Sequence, residues 1–187
     1  MLIEEINKKF NEELFKQIEG SLPKYHTYQL GMPAAILQSV QIPDLPIELR
    51  ASRLSDKAMQ KEHPFDLWEI MDLPKAIQNP LAIFRSATHL ESYVIMTELK
   101  HNCRNFIVVI KTNRKTNKIM INDIRTIHYR NSNVHIVNWI NENLMDYANK
   151  EKLAEWFSKQ QYNSAEVRKL FNRAAKIVRN FENANFK

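Results

Sequence analysis

The densest set of chemically capable side chains lies in one run, Asn122-Asp123-Ile124-Arg125-Thr126-Ile127-His128-Tyr129-Arg130. A histidine, a hydroxyl and guanidiniums so close together suit phosphodiester cleavage in RNA. A base takes the ribose 2′-hydroxyl proton, an acid protonates the leaving oxygen, and cations hold the phosphorane charge. Strict strand alternation puts Ile124, Thr126 and His128 on one face, and Arg125, Ile127 and Tyr129 on the other. Read without chemistry, the same run is a solvated strand end. A second histidine, His63, lies in Lys61-Glu62-His63-Pro64, a loop between helices; its ring either enters a cleft or bonds the carbonyls of a helix end.

Cations continue beyond this run. Lys111, Arg114 and Lys115 precede it, and Arg168, Arg173 and Lys176 lie on one arc of a C-terminal helix whose other side carries Val167, Leu170, Phe171, Ile177 and Phe181. These six are the candidate phosphate contacts, against the alternative of a solvated basic face. Other chemistries lack their residues. The six histidines show no HExxH and no paired-cysteine pattern, so no metal centre is expected. Two glycines in the whole chain, Gly20 and Gly31, exclude glycine-rich phosphate loops, and no cofactor is expected. The single cysteine, Cys103, stands at the start of an apolar run and reads as an inert, buried thiol.

The elements that position these residues follow from periodicity. Met1 to Glu19 repeats apolar residues at helical spacing and ends at Gly20, which marks an accessory amphipathic helix. A short strand at Tyr25–Leu30, a helix at Ala34–Val40, an extended segment at Ile47–Arg50, a helix capped by Ser52 and another capped by Asp66 make the first half mainly helical. From Leu81 the period changes to two, over Leu81–Ser86, Ser92–Leu99, Asn105–Lys111 and Lys118–Ile127, with a turn at Thr112–Asn117 between the last two. A helix at Val134–Asn141, a brief strand at Leu144–Ala148, a helix at Lys150–Lys159 and a final helix from the capping pair Asn163 and Glu166 complete the chain. The expected fold is α+β in one domain: N-terminal helices on an antiparallel sheet of about four strands, then C-terminal helices.

Composition agrees with a soluble domain, at 44% hydrophobic and 26% charged residues. No apolar run is long enough to cross a bilayer, residues 1–20 carry too many acids for a signal peptide, and one cysteine suits a reducing, cytoplasmic setting. Charge is uneven: Met1–Ile110 holds 12 basic and 14 acidic residues, whereas Lys111–Lys187 holds 15 and 7. A positive second half points to an acidic partner, RNA before a membrane surface.

Several short stretches add a resemblance. Tyr28-Gln29-Leu30-Gly31-Met32-Pro33, Ile42-Pro43-Asp44-Leu45-Pro46-Ile47, Lys61-Glu62-His63-Pro64-Phe65, Leu73-Pro74, Asn79 to Ser86, Asn122 to Thr126 and Asn149 to Lys152 follow one another in an order that resembles the nuclease-like domain of phage Mu F-type head proteins and of polyvalent proteins of phages and conjugative elements. The resemblance implies the fold group of barnase, EndoU, colicin-type and RelE ribonucleases, with a core at 28–160, and metal-independent RNA cleavage by a toxin with a possible cognate immunity or antitoxin protein. It places the polar positions on His63, Ser86 and Thr126; where relatives usually show tyrosine two residues after the threonine, this chain has His128 and then Tyr129. Taken together, the expected site is His63 and His128 as acid and base, Ser86 and Thr126 orienting the phosphate, and Arg125 or Arg130 stabilising charge. The alternative is a non-catalytic module of the same fold that binds nucleic acid or protein. Both limbs of the pH profile are expected near histidine's ordinary value of about 6.5.

Overall fold

A computed structural model describes residues 2–116, 119–130 and 134–159, together with 165, 169, 170, 172 and 173. The class is α+β, in the order α1 (Ile3–Ile18), β1 (Thr27–Gln29), α2 (Ala35–Ser39), β2 (Ile47–Arg50), α3 (Ala51–Ala58), a 3-10 turn (Leu67–Ile70), α4 (Leu73–Gln78), β3 (Ala82–Arg85), β4 (Ser92–His101), β5 (Arg104–Lys115), β6 (Met120–Tyr129), α5 (Val134–Asn141), β7 (Met145–Ala148) and α6 (Lys150–Ser158). The final helix expected from Asn163 onward falls largely outside the described residues, as do Arg168 and Lys176.

The strands form one sheet of seven, ordered β1-β2-β6-β5-β4-β3-β7, rather than about four. Nor is it wholly antiparallel. β2 runs parallel to β6 through Ile47↔Asn122 and Glu48↔Asp123, while the other neighbours are antiparallel. Asn122 secures that joint, its side-chain amide donating to the carbonyls of Pro43 and Leu45 at 2.8 and 2.9 Å.

Residues on β3, β4 and β5 alternate between two cores, because helices cover both faces of the sheet. Ile83, Ile95, Phe106, Val108 and Ile110 pack with Phe10, Leu14, Leu54 and Ile77 of α1, α3 and α4. Phe84, Val94, Met96 and Ile107 pack with Ile136 and Ile140 of α5 and Leu153 and Phe157 of α6. The N-terminal helix is therefore built into a core, with Phe10 and Leu14 buried.

Three local expectations change. β5 runs on to Lys115 through the expected turn, because the buried Thr112 is held by the carbonyl of Glu91 at 2.8 Å. Helix α3 is capped at Arg50, leaving Ser52 inside its first turn. Cys103 is exposed. It shares with Asn102 the two-residue hairpin joining β4 to β5, and both have positive φ, at 65° and 45°, the geometry of a type I′ turn that turns the thiol outward instead of into a core.

Candidate functional site

The cleft begins with an irregularity in β6. Val109 pairs with Thr126 and Ile110 with Ile124, so Arg125 is an extra residue without a partner on β5. Such a bulge shifts the phase of every side chain beyond it. Ile124, Ile127 and Tyr129 therefore share one core, while Arg125, Thr126 and His128 all face the opposite cleft. The strict alternation expected from the sequence, with Ile124 beside Thr126 and Arg125 beside Ile127, does not hold across this point.

The cleft encloses about 670 Å³ over the face of β4, β5 and β6 against which α5 packs. Its floor is apolar, formed by Val94, Ile107, Val109 and Trp139. Around it stand Arg85, Lys111, Arg114, Arg125 and Arg130, with Ser86, His89, Thr126 and His128. Among the described residues no aspartate or glutamate lines it; Asp146 and Asp123 pair with Arg85, Arg114 and Arg125 from behind, and the five cations outnumber them, so the field at the lining is positive.

Of the six expected catalytic positions, Ser86, Arg125, Thr126, His128 and Arg130 line this one cleft. The sixth, His63, is not in its lining but stands at the edge of β6. β2 pairs with β6 only as far as Asp123, and α3 and its following loop occupy the space beyond. From there His63 meets Tyr129 edge to face at 5.4 Å and brings its ring centroid to 6.4 Å from that of His128. Two polar atoms at this junction, His63 Nδ1 and Arg130 Nε, are buried without a hydrogen-bond partner among the described residues.

Burial lowers the pKa of His128 from the usual 6.5 to about 4, and the charges of Arg130, His63 and Lys57 push the same way. The ring is thus an uncharged acceptor at neutral pH, in place of the ordinary histidine value expected from sequence. Ser86 serves the loop that follows it. Its Oγ accepts from the amides of Thr88 and His89 at 3.4 and 3.2 Å and lies 3.5 Å from the hydroxyl of Thr88.

The expected phosphate contacts divide. Lys111 and Arg114 line the cleft; Lys115 is exposed at the far end of β5 and does not. Arg173 donates to the carbonyl and side-chain oxygen of Asn141 at 3.3 and 2.8 Å, which places it as a cation on the C-terminal end of α5. Several other lining residues have no role in the sequence reading, Arg85, His89 and Trp139 among them. Arg85, bound to Asp146 at 3.0 Å, precedes Ser86 at a strand end; His89 sits in the loop after it; Trp139 follows the helical stripe of α5 and reads there as core.

A family model described as the phage MuF C-terminal domain matches residues 54–155, just over half of the chain. The chain belongs to that family. The MuF C-terminal match runs from inside α3 to inside α6 and so contains His63 and every residue of the cleft lining. Helix α1, β1 and β2, with two of the stretches that carry the resemblance noted above, precede it. No curated protein and no solved structure matches the chain.

Proposed function

We propose that this MuF C-terminal domain cleaves RNA in the cleft by acid–base chemistry of its own side chains, as a toxin-like effector of a phage or mobile element. One observation carries the reading: five residues chosen for this chemistry line a single cationic cleft, and the sixth lies with its ring 6.4 Å from one of them. The order of segments resembles that of MuF-type nuclease-like domains, a family grouped with the barnase, EndoU, colicin-type and RelE ribonucleases, which supports the same reading.

In this mechanism uncharged His128 accepts the proton of a ribose 2′-hydroxyl. The 2′-oxygen bonds to phosphorus, the bond to the 5′-oxygen breaks, and protonated His63 gives its proton to that oxygen. A 2′,3′-cyclic phosphate and a 5′-hydroxyl remain. Ser86 and Thr126 orient the phosphate, and Arg130 holds the charge that develops. The phosphate itself raises the basicity of His128, because its negative charge offsets that of the neighbouring guanidinium.

The test is purified protein incubated with total RNA in chelator and read on a gel. Cleavage should persist, leave cyclic phosphate ends and spare DNA. Either His63→Ala or His128→Ala should slow it by roughly 10² to 10⁴, the worth of one positioned acid or base. Wild type that binds every RNA and cuts none would reject the enzyme.

That result would promote a second reading, a binding module of the same fold. The position of His63 outside the lining favours it. Here the cations hold an RNA or an acidic partner protein and no bond is cut.

A further inference from the structure

One carboxylate stands behind the cationic wall of the cleft. Asp123, the second residue before the bulged Arg125, has a side chain only 4% exposed and receives three guanidiniums. Arg53 of α3 contacts Oδ1 at 2.7 Å, whereas Arg125 of β6 and Arg114 of β5 contact Oδ2 at 3.1 and 3.5 Å.

The three arginines differ in where they lead. Arg53 is mostly buried, also donates to the carbonyl of Ile124 and does not line the cleft, so it anchors the group from behind. Arg114 and Arg125 are 37% and 42% exposed and both line it. Two like charges drawn to one oxygen repel each other, and a single carboxylate neutralises only one of the three cations. Each guanidinium has five N–H groups in a planar fork, so most of the donors of Arg114 and Arg125 are left for another anion. An anion bridging the two relieves their repulsion and completes their hydrogen bonding.

We propose that Asp123 is a positioning residue, which seats Arg114 and Arg125 as a two-armed clamp on one backbone phosphate of the RNA. This rests on the reading that the cleft takes RNA and assigns it a phosphate subsite apart from the reacting phosphate at His128 and Arg130.

The proposal and simple charge attraction predict opposite signs. Replacing Asp123 by asparagine removes a negative charge from the cleft wall, which by attraction alone tightens RNA binding. Seating predicts that binding weakens, because the arms lose the oxygen that aims them.

Binding is read by fluorescence anisotropy of a labelled 2′-O-methyl oligouridylate, which the proposed chemistry cannot cut. With the full chain, Asp123→Asn should bind roughly tenfold more weakly, and its salt dependence should flatten by about 0.7 in log–log slope, the contribution of one single-strand phosphate. Arg114→Lys with Arg125→Lys, which keeps net charge but loses the fork, should weaken binding in the same direction. Asp123→Asn added to Arg114→Gln and Arg125→Gln should have no further effect.

A folded Asp123→Asn protein that binds as tightly as wild type, or more tightly, would overturn the clamp. So would a double-lysine variant that binds like wild type, and this second variant decides if Asp123→Asn does not fold. Variants that bind normally while wild type cuts RNA reject the clamp alone; wild type that needs the clamp to bind yet cuts nothing rejects the cleavage alone.

Discussion

The ring of His101 lies flat on that of Tyr129, with centroids 4.3 Å apart and planes 19° apart. His101 Nδ1 pairs with the carboxylate of Glu69 at 2.8 Å, and the hydroxyl of Tyr129 donates to the carbonyl of Pro64 at 3.1 Å. These contacts tie the 3-10 turn and the loop carrying His63 to the ends of β4 and β6.

Tyr129→Phe keeps the stack and removes only the bond to Pro64. Stability should fall by about 1 kcal/mol, the worth of one neutral hydrogen bond. RNA cleavage should fall about tenfold at unchanged RNA affinity, because the neighbour of Pro64 loses its tether. A melting curve, a cleavage time course and a binding titration check the three effects; equal loss of binding and cleavage would contradict the assignment.

His128 makes stability depend on pH. The unfolded chain protonates this ring near 6.5, the folded chain only near 4. Above 6.5 the ring is neutral in both states and stability is full. As pH falls from 6.5 towards 4, the unfolded chain takes a proton that the folded one refuses, and up to roughly 3 kcal/mol is lost. Denaturant titrations across that window should show a shallower loss in His128→Gln than in wild type. If His128 is the base in RNA cleavage as proposed, the same burial should put the acid limb of kcat/KM near 4, with that of kcat higher once phosphate is bound, which a pH–rate profile checks.

Phe10 joins α1 to the larger core although the helix precedes the family match. Phe10→Ala should cost about 3 to 5 kcal/mol, as for other buried phenylalanines, while folded protein retains its RNA affinity. Loss of affinity at full stability would place the helix in the binding surface instead.

The sequence patterns locate the elements well where period and length are strong. Ser92–His101, Val134–Asn141 and Lys150–Ser158 all form where alternation or helical spacing puts them. Pairing is less legible. β2 is four residues long and its partner lies some seventy residues on, joined through Asn122, so nothing local in Ile47–Arg50 announces a parallel neighbour. The bulge at Arg125 is similarly silent, since its sequence reads as uninterrupted alternation and only the register with Val109 and Ile110 exposes the extra residue. Side-chain chemistry nonetheless selected His128, Thr126 and Arg130, because a polar run at a strand end is unusual whatever its phase. Asp123, though part of that run, has no role in the sequence reading, since a lone acid among bases gives no sign that three arginines converge on it.

The placement of the strands bears on how the protein behaves at high concentration. The outermost strands, β1 and β7, have three and four residues, the strands of ten and twelve lie inside the sheet, and the part of β6 beyond Asp123 that β2 leaves unpaired is covered by α3. An open edge recruits other chains in proportion to the length of unpaired backbone it offers. The longest and most apolar strands of this molecule, Phe106 to Ile110 among them, are thus shielded from templating a neighbour, so that assembly into fibres requires the sheet to open first.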